Sequence, residues 1–398
     1  MTSARKFIVL MGVVAMFGDM TYEGARGLVG PYLALLGASA TAVGFAAGLG
    51  EFLGYGLRLV TGWLGDRTRA YWAFVIVGYA TNLVAVPGLA FVGSWQAAVV
   101  LLLLERIGKA IRSPARSTLV SYAANQAGVG KSFGIDEALD QLGAVSGPLL
   151  TALAIWVARG EAPPRQYQLA FFVLLLPVIA NLACLLLAKR RFPDPEAFEP
   201  KAQRDPVPIS GLFRWYLCAV MLLGLGFADW ALIAFHASRT GALSASWVPL
   251  VYAGAMGVDA LAALGFGALF DRFGLSVLAA AAFISAAFAP LVFSMPAGVS
   301  LLLGVLAWSV SMGAQDSVFK ATIAKIVPKH ERARAYGIFF ALFGLAWWFG
   351  STIMGFLYDR SVGALIAFSV LTQLASVPIF FSLGTRLRAA EREASGAS

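Results

Sequence analysis

Asp19, Glu23 and Arg26 stand four and three residues apart inside FGDMTYEGARG (17–27), a stretch within an otherwise apolar run. On a helix that spacing puts all three on one face. Lys109, Arg112 and Arg116 repeat the pattern with spacings of three and four, and Asp316 and Lys320 form an i, i+4 pair. Asp229 lies in a further apolar run, within FAD (227–229), which mirrors FGD at 17–19. Carboxylate stripes facing basic stripes neutralise one another and leave a strongly polar site. A carboxylate in such a place has its pKa raised by desolvation and lowered by a nearby Arg. A change in exposure then lets it load and release a proton.

The elements that carry these charges are membrane helices. Of 398 residues, 59% are hydrophobic and 13% charged, about half the charged fraction of a soluble domain. Apolar stretches of bilayer-spanning length recur from end to end. Twelve spans are predicted, at 7–36, 41–63, 71–92, 97–125, 132–158, 167–188, 213–238, 246–270, 275–294, 299–326, 334–358 and 362–385. Segments then assigned to the cytoplasm hold nineteen Lys and Arg, those assigned to the outside four. The positive-inside rule therefore places both termini in the cytoplasm. The net charge of +9 is explained by this topology, and no nucleic-acid partner is expected. Cys184 and Cys218 both fall within apolar runs and supply neither a disulfide framework nor a ligand cluster. The basic start MTSARKFIVL lacks a following cleavage site and reads as the first span.

The proline-rich stretch 189–212 is a cytoplasmic linker. It divides the spans into halves of six, 1–188 and 213–398. These halves repeat: GWLGDR (62–67) returns as GALFDR (267–272), and Gly147 as Gly350, at near-constant offsets. Such offsets indicate internal duplication, and parallel six-helix repeats are a transporter architecture.

The chain resembles the major facilitator superfamily over essentially its whole length. Gly62-Trp63-Leu64-Gly65-Asp66-Arg67-Thr68-Arg69 is similar to the family's G-x-L-x-D-R-x-G-R signature, although Arg69 replaces its second glycine. The second copy, Gly267 to Gly274 with Asp271 and Arg272, keeps that glycine. Arg106 resembles a buried arginine of the family's fourth helix. Gly134, Gly143 and Gly147-Pro148 are similar to the antiporter motif g-x8-G-x3-G-P-x2-G-G, with Thr151-Ala152 at the last two glycines. Within the superfamily, ERIGKAIRSPARSTLVS and FGIDEALDQLGAVSGPLL look most like a bacterial branch of efflux permeases.

The resemblance implies an all-α fold of twelve transmembrane helices, two pseudo-symmetric six-helix bundles with spans 1, 4, 7 and 10 lining a central cavity. It implies gating roles for Gly62, Asp66, Arg67, Gly143, Gly147, Pro148, Gly267, Asp271 and Arg272. Charges at membrane depth cost ~2.5–3.5 kcal/mol each and are functional by default. Asp19, Glu23 and then Asp229 are the expected proton-coupling groups. Tyr22, Arg26, Glu51, Lys109, Arg112, Arg116, Asp140, Asp316 and Lys320 are expected around the substrate. The competing reading makes the ion pairs architectural, with Arg holding helices through carbonyls. Glu51 and Arg58 share a face of span 2 and suit a pair with span 11 or a lateral gate as well as a substrate contact. Asp136 and Glu137 suit a helix N-terminus, His236 a surface position and His330 a solvated loop.

A proton-driven exporter of a small cationic drug-like compound or a divalent metal follows, with symport of an organic anion or zwitterion by proton or sodium as the alternative. No Gly-x4-Gly-Lys-[Ser/Thr] loop is present, so ATP is not the driver in this chain. Paired histidines or an Asp-rich motif that would mark a membrane enzyme do not occur. The expected partners are the substrate, protons and the lipid bilayer. The expected protein is a monomer with no cofactor, in the bacterial inner membrane.

Overall fold

The computed structural model describes residues 3–127, 129–194, 211–294, 298–327 and 332–396, which are helical apart from short turns. Helices α1 (Ser3–Leu35), α2 (Ala40–Thr68), α3 (Tyr71–Gly88), α4 (Trp95–Ala127) and α5 (Val129–Val157) correspond to the first five spans. The sixth span is a pair, α6 (Pro163–Val173) and α7 (Leu175–Arg191), and the seventh is α8 (Gly211–Gly226) with α9 (Trp230–Arg239). There follow α10 (Trp247–Phe273), the pair α11 (Ser276–Ala286) and α12 (Phe288–Phe293), α13 (Gly298–Ile326), α14 (Arg332–Arg360) and α15 (Val362–Gly396). Among the described residues, ten of these segments are long and apolar enough to cross a membrane. The exceptions are α2, with Glu51, Arg58, Asp66 and Arg67, and α4, with Glu105, Arg106, Lys109, Arg112 and Arg116. Length lets them span, and burial of their charges must offset what composition costs. The linker at 195–210 and His330 lie outside the described residues.

The chain packs as two compact units. One comprises Met1–Ala38, Leu49–Gln203 and Leu243–Gly254, the other Ser39–Gly48, Arg204–Ala242 and Ala255–Ser398. Each unit thus takes a short segment from the other sequence half: the start of α10 joins the first, the start of α2 the second.

In the first unit α1 is the central helix, packed on α5, α7 and α4. Its Phe7, Ile8, Met11 and Val14 share an apolar core with Tyr71, Val75 and Tyr79 of α3, Leu119 and Val120 of α4, and Val178 and Leu185 of α7. The α1–α5 crossing is tight because of Gly143 and Gly147. A Cβ at either would sit 2.2 Å from the Met16 carbonyl oxygen or 2.1 Å from that of Met20. The G-x3-G-P motif is therefore a flat surface that brings two backbones into contact. Thr151, where the motif has glycine, donates its hydroxyl to the Gly24 carbonyl at 3.3 Å. The departure from the motif adds a tie where glycine would leave bare contact.

The second unit repeats this plan. Gly350 of α14, the repeat-mate of Gly147, would place a Cβ 2.1 Å from the Leu225 carbonyl oxygen of α8. Its core is aromatic: Phe227 stacks on Trp308 at 5.7 Å and meets Trp347 edge-on, while Tyr216 stacks on Phe339. The predicted continuous span 213–238 is instead broken at 227–229. The carbonyls freed by the break find partners within the unit. Gly226 accepts from Ser369 and Gln373 of α15, and Ala228 from the Trp308 indole. Such local repair is what makes a broken helix tolerable in a membrane.

The signature loops explain each other. Arg69 and Gly274, at equivalent places after α2 and α10, both adopt left-handed backbone, with φ of 54° and 63°. Glycine takes that conformation without steric cost; the first copy holds it with arginine.

Candidate functional site

Most buried charges of the first unit gather near Tyr22 in a series of ion pairs, and helix periodicity builds it. On α1, Asp19, Tyr22, Glu23 and Arg26 recur at three- and four-residue intervals. On α4, Glu105, Arg106, Lys109, Arg112 and Arg116 do the same. The Tyr22 hydroxyl accepts from Arg26 Nη1 at 2.9 Å and from Arg106 Nη1 at 2.6 Å. Lys109 Nζ lies 3.7 Å above the centre of its ring, a cation–π contact. One phenol thereby gathers three cations.

Glu51 of α2 balances two of them, at 3.1 Å from Arg26 and 3.2 Å from Arg106. The sequence left Glu51 between a partner on span 11 and a place in the site; it belongs to the network of the first unit. Arg106 also binds Glu105 at 3.2 Å, and Asn82 of α3 donates to the other Glu105 oxygen at 2.7 Å. Asp19 faces Arg112 at 3.8 Å, and the Arg112 guanidinium covers the Tyr79 ring at 4.2 Å. Further along α4, Arg116 holds Asp136 of α5 at 2.5 Å, with Asp140 at 4.0 Å. Asp136 is thus a buried ion-pair partner, not the helix-terminus charge its position suggests, because α5 begins two turns earlier.

Glu23 differs from these carboxylates. It is 9% exposed, and its Oε2 accepts a 2.5 Å hydrogen bond from the neutral hydroxyl of Tyr252, on the first turns of α10. Arg26 and Asp19 on α1 and Lys109 on α4 are the charged groups around it. Glu51, Glu105 and Asp136 are each clamped by a guanidinium, whereas Glu23 is held by a phenol.

The remaining expected residues fall elsewhere. Asp229 belongs to the second unit, where it caps α9 by accepting from the Ala231 amide at 3.0 Å. Its repeat-mate Asp19 sits mid-helix, so the duplicated aspartates occupy different backbone settings. Asp316 and Lys320 are exposed on α13, also in the second unit. Asp66 accepts from the Tyr71 hydroxyl at 3.1 Å, while Arg67, Asp271 and Arg272 are exposed at helix ends. Gly62 and Gly267 have no tight neighbour. His236 is 5% exposed and hydrogen-bonds Tyr358 at 2.9 Å, contrary to the expected surface position. It packs among Phe293 and Tyr358, whose aromatic side chains the sequence distributes over distant helices.

Glu105, Arg106, Tyr79, Asn82, Asp136 and Tyr252 complete the network beyond the residues expected in it. For Glu105 and Arg106 the signal was present, since they extend the α4 stripe by one turn. Tyr79, Asn82 and Tyr252 are polar-tipped residues in apolar runs, and only packing reveals their partners. Among the described residues there is no group of three or more His, Cys, Asp or Glu that could hold a metal ion.

The sequence matches the family described as Major Facilitator Superfamily over residues 8–238. An uncharacterised protein of Mycobacterium tuberculosis is 40% identical over 390 residues, covering 96% of this chain and 93% of its own. An uncharacterised MFS-type transporter of Methanocaldococcus jannaschii is 25% identical over 370 residues, 89% of each chain. Among solved structures, a peptide transporter POT mutant in complex with alafosfalin superposes with a TM-score of 0.74 at 14% identity. That match covers 96% of this chain and 94% of the other.

Proposed function

This chain belongs to the Major Facilitator Superfamily, and from that premise we propose a proton-coupled antiporter that exports a small cationic drug-like compound or a divalent metal ion. Membership makes it a multi-pass membrane transporter; the coupling, direction and cargo are our reading. The observation that carries it is Glu23, a buried carboxylate held by a neutral hydroxyl. A carboxylate clamped by arginine keeps its charge, whereas one facing a phenol can exchange it as its surroundings change. Protonation then removes the negative charge that a cationic cargo would bind, so proton and cargo compete for one site. Asp19, one turn away and partly exposed, is the second coupling group, and Asp229 the third. Tyr22, Arg26, Glu51, Lys109, Arg112, Arg116 and Asp140 complete the polar surface of the first unit in this scheme, and Asp316 and Lys320 are the substrate-facing charges proposed for the second. The halves 1–188 and 213–398 are the moving bodies of alternating access, joined by the linker 189–212, with the signature loops as gates. The proposed setting is a bacterial inner membrane, with a monomer whose termini both face the cytoplasm.

A second reading rests on Arg112. Its side chain is 5% exposed, and its Nε and Nη2 make no hydrogen bond among the described residues. A buried guanidinium with donors to spare suits a carboxylate or phosphate group, which favours proton- or sodium-coupled symport of an organic anion or zwitterion.

Proteoliposomes with a lumenal pH indicator distinguish the two. Ethidium, Co²⁺ and a dipeptide are added in turn under an imposed pH gradient, with and without sodium. Antiport gives cation-dependent proton movement that Glu23→Gln and Asp19→Asn abolish without loss of expression. Normal gradient-driven transport by both variants would overturn the proton-coupling assignment, and co-transport of the dipeptide alone would select symport.

A further inference from the structure

We propose that Tyr252 is the positioning residue through which the ionisation of Glu23 sets where the N-terminal segment of α10 lies. The inference rests on the proton-coupling reading of Glu23 and adds the element that responds. Three observations carry it.

The first is the bond itself. Tyr252 is 1% exposed and donates to Glu23 at 2.5 Å. It comes from the second sequence half, whereas Arg26, Asp19 and Lys109, the charged groups around Glu23, all come from the first.

The second is the surface on which the segment rests. One turn beyond Glu23, Gly27 leaves α1 flat; a Cβ there would lie 3.3 Å from the Tyr252 ring and 3.5 Å from the Pro249 Cα. The segment therefore sits directly on the backbone of α1, with the Tyr252 hydroxyl as its polar anchor.

The third is the course of α10. Residues Leu243–Gly254 pack with the unit that contains α1, and from Ala255 the same helix packs with the other unit. The crossover falls two residues after Tyr252. Side chains added at Gly254 or Gly257 would meet nothing within 4 Å, so one face of the helix is open there, while Ala253, Ala255 and Met256 pack its other face. The segment changes packing partners at this point, and the Tyr252–Glu23 bond is the tie of its first turns to α1 that depends on the charge of Glu23.

Protonation acts on that tie directly. A phenol donating to a carboxylate makes a charge-assisted bond roughly twice as strong as one between neutral partners. When Glu23 takes a proton, the tie falls to the neutral level and the segment is freer to leave α1. The difference corresponds to about a five- to tenfold change in the ratio of attached to detached segment. Tyr252 itself stays neutral throughout. It converts a charge on span 1 into a position of span 8.

The test uses the full chain with Cys184→Ser and Cys218→Ser, and nitroxide labels at Leu35→Cys and Trp247→Cys, both exposed positions. Pulsed electron resonance in liposomes reads the α1–α10 distance distribution between pH 5 and pH 8. The parent protein is expected to shift toward longer distances as pH falls, by about five- to tenfold in population ratio. Glu23→Gln holds the low-pH distribution at every pH, Tyr252→Phe removes the pH response, and Tyr252→Gln, which keeps a donor that does not titrate, restores part of it. A pH response retained in full by Tyr252→Phe would overturn the proposal. So would a response equally absent from Tyr252→Gln and Tyr252→Phe when both elute as monodisperse protein. The two readings fail separately: normal gradient-driven transport by Glu23→Gln removes the coupling role of Glu23. Loss of coupling in Glu23→Gln beside an unaltered Tyr252→Phe removes only the role of Tyr252.

Discussion

Replacing Gly147 by alanine would set a methyl carbon 2.1 Å from the Met20 carbonyl oxygen and 2.9 Å from the Gly24 amide nitrogen. A relaxed carbon–oxygen contact needs ~3.3 Å, so α1 and α5 must part by roughly 1.2 Å at this level. Both neighbours are backbone, and no side-chain rotation can absorb the clash. Overpacking of this kind costs about 1–3 kcal/mol. The Thr151–Gly24 hydrogen bond, already 3.3 Å long, is lost with it, adding ~0.5–1 kcal/mol. Thermal unfolding in detergent, followed by fluorescence-detected size exclusion, should show Tm lower by roughly 2–5 °C. Gly350→Ala, which meets the Leu225 carbonyl oxygen at 2.1 Å, should fall comparably, and Gly265→Ala, with open space around its Cβ, should hardly move. Gly147→Ala matching Gly265→Ala would refute the close-crossing account of the motif. Met20 lies between Asp19 and Glu23, so a displacement there also shifts the coupling carboxylates. An error of about an ångström is enough to damage a positioned site, and proton coupling should weaken in any Gly147→Ala protein that folds.

Three further outcomes are expected. Arg69→Gly relieves a left-handed residue worth about 1–2 kcal/mol, less ~0.5–1 kcal/mol for the freer unfolded chain; Tm should hold or rise by up to about 2 °C, and a lower Tm would contradict the strain. Asp359 accepts from the Ala40 amide at 3.1 Å, the Thr41 amide at 2.8 Å and the Thr41 hydroxyl at 2.6 Å, so it caps α2 from another helix. Asp359→Ala should cost ~1–2 kcal/mol locally and speed hydrogen exchange at residues 40–43 about tenfold; unaltered exchange would show that the cap carries no stability. Glu51→Gln strips Arg26 and Arg106 of their shared carboxylate and should destabilise by about 3–5 kcal/mol. Adding Arg26→Leu, which removes one cation on Glu51 while leaving Arg106 on Glu105, should recover part of that loss, and its failure to do so would mean that the network is not coupled through Glu51.

Much of the fold was legible because membrane helices announce themselves by length and apolarity, and a duplication by its offsets. Among the described residues, ten segments qualify by length and composition alone. The stripes on α1 and α4 were legible too, since spacings of three and four residues map onto a helix face without reference to any partner. Span 7 was misread as continuous because the carbonyls that repair its break are met by Ser369, Gln373 and Trp308, all more than 75 residues away.

By itself the sequence determined the helices, their repeat, and which face of each carries charge, because these depend on spacing along one chain. It also located the residue standing where the signature has glycine, although only the backbone of Arg69 shows what that position demands. Tertiary structure decided the pairings: Glu51 with two arginines, Asp136 with Arg116, His236 with Tyr358, and Glu23 with a phenol from the other half of the chain. A buried charge is satisfied by whichever group the packing of distant helices brings within about 3 Å, and periodicity along one helix carries no record of which neighbour that is.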